Sequence, residues 1–239
     1  MAGYDTAGEI QNTYSAAHSE FGSDPNFWLR YFAPSPYADV VESDPTSECV
    51  GAWESGGPRI GPIMAPDQAN LASSSAQGLA DAETFCAAIY STFTSVGPLQ
   101  TPANGMIYCW LDQEYSTTLS LDYWNGWADY VAGYKFANVG TQPLYACLYC
   151  DPYSPYPNCT TIGASGAAPC HAVWSSEPEP CGSLANSPSW DADACASTPT
   201  EVWQYGEQGA CGYSANVDLD TGAPDFNEGN YCFYLSSEP

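Results

Sequence analysis

Residues 106–116 read Met106-Ile107-Tyr108-Cys109-Trp110-Leu111-Asp112-Gln113-Glu114-Tyr115-Ser116. The apolar and aromatic run at the start of this stretch predicts a buried β-strand. The run ends on two acids, Asp112 and Glu114, that are separated by one residue. Because side chains alternate along a strand, both acids point to the same side as Tyr108 and Trp110. In barrel proteins the carboxyl ends of the strands carry the active site, so we expect the two acids to lie in such a site.

Seven further short runs of apolar, β-branched or aromatic residues predict strands along the chain. They are residues 3–4, 27–32, 60–64, 143–149, 171–174, 201–205 and 215–219. Apolar residues at helical spacing predict helices within residues 6–21, 67–93 and 119–136. Alternation of strands with helices favours parallel strands with crossover helices, and eight strands favour a closed α/β barrel. From residue 151 to residue 200 the chain is rich in Pro, Gly, Ser and Cys. We therefore expect loops between the last strands and a single domain over residues 1–239.

The charge of the chain excludes several classes of partner. Only Arg30, Arg59 and Lys135 are basic, whereas 28 residues are acidic, so the net charge is −25. No face of the protein can neutralise phosphates, which argues against nucleic acid and anionic membrane surfaces. No apolar run approaches the ~18 residues of a membrane-spanning helix. The carboxylates repel one another near neutral pH, so we expect higher stability near about pH 4–5 than near about pH 8.

The cysteine content indicates an oxidising compartment and hence secretion. The chain has eleven cysteines: Cys49, Cys86, Cys109, Cys147, Cys150, Cys159, Cys170, Cys181, Cys195, Cys211 and Cys232. The count is odd, so one thiol is free or pairs between chains. Disulfides are expected to staple the fold, with Cys86 and Cys109 as one candidate pair. A zinc site at Cys147, Cys150, Cys159 and Cys170-His171 is the alternative, but the spacing is irregular and we expect no metal or other cofactor. No signal peptide precedes Gly3, so we expect a mature form.

Two more acids occupy places that match Asp112 and Glu114. Asp5 follows the first predicted strand, and Asp218 lies in the last one. Since the first and last strands of a closed barrel are neighbours, the four acids are expected to share one mouth. Crowded carboxylates raise one another's pKa, which keeps one protonated as a general acid while another stays ionised. Glycoside cleavage uses that division of roles. Two acids separated by one residue are by themselves weak evidence for an active site. The positions of all four acids along the chain make that evidence specific.

Five ordered motifs resemble the glycoside hydrolase family 25 muramidases and the related glycoside-hydrolase-like barrels of unknown function found in bacteria and fungi. The motifs are Gly3-Tyr4-Asp5-Thr6, Leu29-Arg30-Tyr31-Phe32, Tyr108-Cys109-Trp110-Leu111-Asp112-Gln113-Glu114, Val202-Trp203-Gln204-Tyr205 and Asn216-Val217-Asp218-Leu219-Asp220. They are short and spread over most of the chain. The resemblance implies a modified TIM barrel of five strand-helix units followed by three helix-poor strands. The last motif ends in Asp220, where an asparagine is usual in the family.

The resemblance also implies roles for the four acids. Glu114 corresponds to the catalytic acid, and Asp112 to the acid that orients the N-acetyl group of the sugar in a substrate-assisted reaction. Asp5 and Asp218 correspond to carboxylates at the floor of the site. The implied protein is a secreted, acid-tolerant hydrolase of a β-linked N-acetylated glycan, with peptidoglycan as the first expectation and a chitin-like polymer as the second.

Aromatic side chains support a polysaccharide ligand, because the faces of Trp and Tyr stack on sugar rings. We expect Tyr31, Tyr149, Trp174 and Trp203 to line the mouth, although each of them fits the barrel core equally well. A non-catalytic glycan-binding or structural surface protein on the same barrel remains the alternative to an enzyme. The sequence contains no pattern that sets an oligomeric state.

Overall fold

A computed structural model describes residues 2–6, 10–22, 24–32, 59–96, 99–100, 106–114, 117–134, 144–152, 158–177, 189–195, 197–207, 217–227, 231–232 and 234–235. The strands are β1 (Ala2–Thr6), β2 (Phe27–Tyr31), β3 (Arg59–Met64), β4 (Leu99–Gln100), β5 (Ile107–Asp112), β6 (Leu144–Cys150), β7 (Val173–Ser176), β8 (Thr200–Gly206), β9 (Asp218–Gly222) and β10 (Tyr234–Leu235). The helices are α1 (Ile10–Phe21), α2 (Ser75–Val96), α3 (Leu121–Gly133) and α4 (Asn158–Ile162), with a 3₁₀ helix at Gln68–Ala72.

Eight strands close into a barrel in the order β1-β2-β3-β5-β6-β7-β8-β9, and β4 pairs with β10 outside it. Each predicted strand corresponds to one barrel strand, so the expected modified TIM barrel is confirmed. The seven barrel strands other than β9 run parallel to one another, and the last helix before β7 has only 5 residues. β7, β8 and β9 therefore form the helix-poor part of the barrel.

The strand β9 closes the barrel with the opposite direction, since it is antiparallel to both β8 and β1. Its register places Asp218 opposite Asp5 and Asp220 opposite Gly3. The expected contact between the first and last strands is thus confirmed. The reversal of β9 has a consequence for the site, because β9 begins where the parallel strands end and brings its first residues to the mouth.

The side chains of the barrel divide into an inner and an outer apolar layer, as strand alternation requires. Tyr108 and Trp110 belong to the inner layer, whereas Cys109 and Leu111 pack in the outer layer beneath the helices. Trp110 meets Trp174 across the barrel with the ring centroids 6.2 Å apart. All six residues of β5 are buried, so the composition of this run predicted its placement correctly.

Helices α2 and α3 pack with their backbones in direct contact at two glycines. A Cβ atom at Gly126 would lie 2.0 Å from the carbonyl oxygen of Ser75, and one at Gly78 would lie 2.2 Å from that of Tyr123. The side chain of Ser120 caps α3 by accepting a hydrogen bond from the backbone N–H of Tyr123 at 3.0 Å. Among the described helices, none combines the length and the apolar character that a membrane crossing requires.

Among the described cysteines, Cys159 in α4 forms a disulfide with Cys195 in the segment before β8. The disulfide links this short helix to an irregular segment in the helix-poor half of the barrel, where few helices are available to hold the chain by packing. The expected bridge between Cys86 and Cys109 is wrong, because both residues are buried thiols. Burial raises the pKa of the Cys86 thiol to about 12, so it is inert at ordinary pH.

Candidate functional site

The carboxyl ends of the parallel strands form the mouth of the barrel, and acids from three strands meet there. Asp5 lies near the end of β1, Asp112 ends β5, and Glu114 follows two residues later. Asp218 and Asp220 come from β9 through the register that pairs this strand with β1. We call these five residues the carboxyl cluster. The topology explains the position of this cluster, because β9 is antiparallel to β1 and its first residues lie beside the last residues of β1.

The five acids of the carboxyl cluster differ in how deeply they are buried. Asp220, Asp112 and Asp5 are 0%, 3% and 4% exposed, respectively, whereas Asp218 is half-buried and Glu114 is exposed at the rim. Three acids are thus almost completely removed from water. Burial disfavours the charged form of a carboxyl group, and neighbouring carboxylates disfavour it further.

The pKa values of the cluster shift upward for these two reasons. Burial is the larger cause at Asp5 and Asp112, and the neighbouring charges are Asp218 for Asp5 and Glu114 for Asp112. Burial also raises the pKa of Glu114, with Glu207 as the second cause. The shift at Glu114 is smaller than at the buried acids, because water screens charges at the exposed rim. Several acids therefore keep their protons above the pH at which ordinary carboxyl groups lose them.

Hydrogen bonds distinguish the buried acids from one another. The Tyr31 hydroxyl donates to Oδ2 of Asp112 at 3.3 Å, which lowers the pKa of Asp112 against the effect of burial. Oδ1 of Asp112 is buried and has no partner among the described residues. Nε2 of Gln204 donates to Oδ2 of Asp5 at 3.0 Å, and the indole N–H of Trp174 donates to Oδ1 of Asp220 at 2.9 Å.

Gln204 connects the acids to the wall of the mouth. Its Oε1 accepts hydrogen bonds from the hydroxyls of Tyr149 and Ser176, both at 3.0 Å. Its amide nitrogen is then oriented toward Asp5, because the oxygen is occupied by two donors. A single buried side chain thus ties β8 to β1, β6 and β7.

Gln68 holds the loop that carries Glu114. From the 3₁₀ helix after β3 it donates from Nε2 to the backbone carbonyl of Asp112 at 3.1 Å. Its Oε1 accepts from the backbone N–H of Glu114 at 3.0 Å and from the Thr117 hydroxyl at 2.8 Å. The bonds connect the end of β5 to a neighbouring loop, so they set the direction in which Glu114 leaves the strand.

The four aromatic residues expected at the mouth occupy different places. Tyr31 and Tyr149 are half-buried, and their pKa values rise through burial and through the charges of Asp112, Asp5 and Glu114. Trp174 lies inside the barrel against Tyr149, with ring centroids 4.3 Å apart, and is 1% exposed.

Trp203 requires a correction, since it packs in the outer layer. It lies on the face of β8 opposite Gln204, because adjacent residues of a strand point to opposite faces. Its ring meets that of Trp190 with the centroids 6.1 Å apart. Its indole N–H donates to the backbone carbonyl of Glu177 at 2.9 Å, so its polar atom is occupied away from the mouth.

Sequence reasoning missed Gln68, Gln204 and Ser176 and assigned no role to Asp220. Gln204 and Asp220 lie within the motifs Val202-Trp203-Gln204-Tyr205 and Asn216-Val217-Asp218-Leu219-Asp220, and the period of two from Asp218 places Asp220 on the inner face. Gln68 gives no signal in the sequence, because its partners are 44 and 46 residues away.

Three sulfur atoms are close enough together to be considered as metal ligands. The Sγ atoms of Cys150, Cys159 and Cys195 lie within 4.8 Å of one another. Cys159 and Cys195 are joined in the disulfide, so neither offers a thiolate. The acids of the mouth do not form a comparable group in the part of the chain that the structure describes.

The sequence matches no protein-family model and no curated protein. Its fold is nevertheless similar to that of several solved structures. An uncharacterized protein of B. stearothermophilus aligns with a TM-score of 0.71 and 20% identity over 96% of this chain and 99% of its own.

Two structures with named activities share the fold at lower similarity. A glycosyl hydrolase 25 of Streptococcus pneumoniae, described as a virulence factor in host cell invasion, aligns with a TM-score of 0.56 and 14% identity over 95% of this chain and 89% of its own. The spore cortex lytic enzyme of Clostridium perfringens aligns with a TM-score of 0.56 and 13% identity over 93% and 67%. The chain therefore shares the barrel fold of these three proteins.

Proposed function

We propose that the protein is a secreted glycoside hydrolase that cleaves a β-linked, N-acetylated glycan, with peptidoglycan as the first substrate to test and a chitin-like polymer as the second. The observation that carries the proposal is the convergence of Asp5, Asp112, Glu114 and Asp218 at the mouth, with raised pKa values at Asp5, Asp112 and Glu114. Glycoside cleavage requires a protonated carboxyl beside an ionised one.

In this proposal Glu114 is the general acid. It lies at the rim, where a glycosidic oxygen can approach its carboxyl group, and its raised pKa keeps the proton available in mild acid. Asp112 is the partner that orients the N-acetyl group of the sugar. The hydroxyl of Tyr31 stabilises the ionised form of Asp112 and so partly offsets the burial that raises the pKa of this acid.

Asp5 and Asp218 form the floor beneath the sugar ring. An ionised carboxylate at this place favours the positive, oxocarbenium-like transition state over the neutral substrate. Tyr31 and Tyr149 supply aromatic surface at the rim for the sugar rings. The reaction needs no cofactor in this scheme, because protons and charge are supplied by carboxyl groups.

The cysteine content and the charge of the protein support secretion into an acidic setting. The disulfide Cys159–Cys195 requires an oxidising compartment to form. A chain with a net charge of −25 is repelled by an anionic cell wall, and this repulsion weakens when carboxylates are protonated. We therefore expect activity on cell walls in mild acid and a decline of this activity toward neutral pH.

The second candidate is a protein that binds a glycan at the mouth and does not cleave it. Burial favours this function, because Asp5, Asp112 and Asp220 are almost fully shielded from water and a bound sugar reaches Glu114 and Asp218 first. Binding through Tyr31 and Tyr149 needs no chemistry at the buried acids.

An assay on purified peptidoglycan at about pH 5 separates the two functions. The parent protein should reduce turbidity and release new reducing ends, whereas E114Q should do neither. E83Q makes the same chemical change at an exposed position on α2 and should match the parent. If neither the parent nor E114Q releases sugar but both sediment with the wall, the binding function replaces the hydrolytic one.

A further inference from the structure

Three sulfur atoms meet in the outer layer of the helix-poor half of the barrel. Cys150 ends β6, Cys159 lies in α4, and Cys195 lies in the segment before β8. Their Sγ atoms all lie within 4.8 Å of one another, and we call these three residues the sulfur cluster. Cys159 and Cys195 form a disulfide, whereas Cys150 is a buried thiol. A disulfide needs two sulfur atoms, so the third sulfur beside it serves no purpose in that bond.

The spacing of the sulfur cluster fits the coordination of a soft metal ion. In a tetrahedral zinc–thiolate site each Zn–S bond is about 2.3 Å long, which places the sulfur atoms roughly 3.8 Å apart. The three sulfur atoms already lie within 4.8 Å, so small side-chain rotations bring them to that spacing once the bond between Cys159 and Cys195 is broken. Thiolates are also the ligands that soft ions such as Zn²⁺ select.

The surroundings of the sulfur cluster favour a cation. Cys150 and Cys195 are buried, whereas Cys159 is half-buried, so one side of the cluster is open to water. Burial raises the pKa of the Cys150 thiol, and nearby charges that include Asp151 and Glu177 raise it further. Negative charges that oppose a thiolate stabilise a bound cation, and a coordinated metal ion displaces the thiol proton.

The sulfur cluster differs from the zinc site that the sequence offers as an alternative. Cys147 belongs to the inner apolar layer, whereas the members of the sulfur cluster lie in the outer layer. Cys195 replaces it as the third sulfur, and 36 residues separate Cys195 from Cys159. A spacing of this length gives no signal in the sequence, so the folded chain is needed to recognise the cluster.

We propose that the sulfur cluster is a redox-controlled binding site for one soft divalent metal ion, with Zn²⁺ as the ion to test. Reduction of the disulfide by a dithiol yields two protein thiols and the oxidised dithiol. The three thiols then bind the ion, and each of them releases one proton. Water takes the fourth position of the tetrahedral ion, on the side of Cys159. In the oxidised protein the disulfide occupies two of the three ligands, so the two forms exclude each other.

A bound ion holds one more element of the fold than the disulfide does. The disulfide joins α4 to the segment before β8, whereas the ion also includes β6. The residue before Cys150 on β6 is Tyr149, which lies at the mouth and donates to Gln204 at 3.0 Å. Because the three ligands come together only in the folded chain, metal binding stabilises the fold. The reduced protein should therefore unfold at a higher temperature with Zn²⁺ than without it.

Zinc titration of the reduced protein tests the proposal. The full chain is treated with a phosphine reductant, and its affinity for Zn²⁺ is measured by competition with a chromophoric chelator. We expect one tightly bound ion per chain and a higher thermal midpoint. The X-ray absorption spectrum at the zinc edge should show three sulfur neighbours at about 2.3 Å. The oxidised parent should not bind Zn²⁺ with this affinity, because its disulfide removes two ligands.

Cysteine variants separate the sulfur cluster from the other thiols of the chain. C150S keeps the disulfide, so its oxidised form should fold as the parent does. Its reduced form should bind Zn²⁺ at least about 100-fold more weakly, since loss of a ligand costs no less than loss of a group that orients one. C86A removes a buried thiol on α2, outside the cluster, and should bind Zn²⁺ as the parent does.

Three results would overturn the proposal. Equal affinities of the reduced parent and reduced C150S would mean adventitious binding at other thiols. An X-ray absorption spectrum without sulfur neighbours would place the ion elsewhere. A reduced parent that stays unfolded when Zn²⁺ is added would show that the three sulfur atoms do not assemble around the ion. None of these measurements contains a glycan, so their outcome is independent of the proposed hydrolase activity.

Discussion

Replacing Gln68 with methionine tests how the protein holds Glu114. The substitution keeps the length and approximate volume of the side chain but removes three hydrogen bonds, to the carbonyl of Asp112, the N–H of Glu114 and the hydroxyl of Thr117. Each bond contributes about 0.5–1.5 kcal/mol, and Gln68 is buried, so water replaces the lost bonds poorly. Q68M should therefore lower the free energy of unfolding by roughly 3 kcal/mol, from about 1 kcal/mol per bond.

Urea denaturation at constant pH measures this loss directly. The matched control is Q77M on α2, where Gln77 makes one hydrogen bond, to Asp81 at 2.9 Å on the helix surface. The control should lose less than about 1 kcal/mol, because a partly exposed pair of this kind contributes little. A Q68M protein whose stability lies within about 0.5 kcal/mol of the parent would show that Gln68 does not hold the loop.

Three other perturbations probe separate parts of the structure. G126A should destabilise the protein by about 2 kcal/mol or more, since its Cβ would lie 2.0 Å from the Ser75 carbonyl oxygen, whereas G133A meets no atom within 4 Å and should be tolerated in thermal melts. In C159S, Cys150 should replace Cys159 as the disulfide partner of Cys195, because the three sulfurs lie within 4.8 Å of one another. Peptide mapping without reduction that finds Cys195 as a free thiol would contradict this. Stability should fall as the pH rises from about 4 to 8. The raised pKa values of Asp5, Asp112 and Asp220 let the folded state keep protons that the unfolded chain releases. Denaturant midpoints that increase over this range would refute this explanation.

The barrel was predictable from sequence because its signals are local. Most barrel strands contain a short apolar run, and the alternation within residues 107–112 separates Trp110 on the inner side from Leu111 on the outer side. The neighbouring positions of Asp5 and Asp218 followed from closure of the barrel alone, and the register confirms them.

Strand ends and polar contacts were less accessible to sequence reasoning. The strand predicted at residues 171–174 is observed at Val173–Ser176. Its serines read as a loop in the sequence, yet the Ser176 hydroxyl donates to Gln204 inside the barrel. A polar residue continues a strand when a partner on another strand satisfies it, and that partner is set by the tertiary structure.

Some residues of the candidate site were likewise predictable from the sequence, and others were not. The positions of Asp5, Asp112 and Asp218 follow from strand patterns, whereas Gln68 acts through backbone groups more than 40 residues away. Asp220 stands where the resembling family has asparagine, and its burial and its bond from Trp174 explain how an acid can occupy that place. The expected site at Trp203 was wrong because either face of β8 can accept an aromatic side chain.

The central claim is that the mouth of the barrel hydrolyses a glycosidic bond with Glu114 as the acid. The most direct measurement is mass spectrometry of the products formed from purified peptidoglycan in ¹⁸O-labelled water at about pH 5. The account predicts fragments with one labelled oxygen at each new reducing end for the parent and for E83Q, and none for E114Q. Label incorporation by E114Q equal to that of the parent, or no labelled reducing ends from peptidoglycan or chitin oligomers with the folded parent protein, would contradict it.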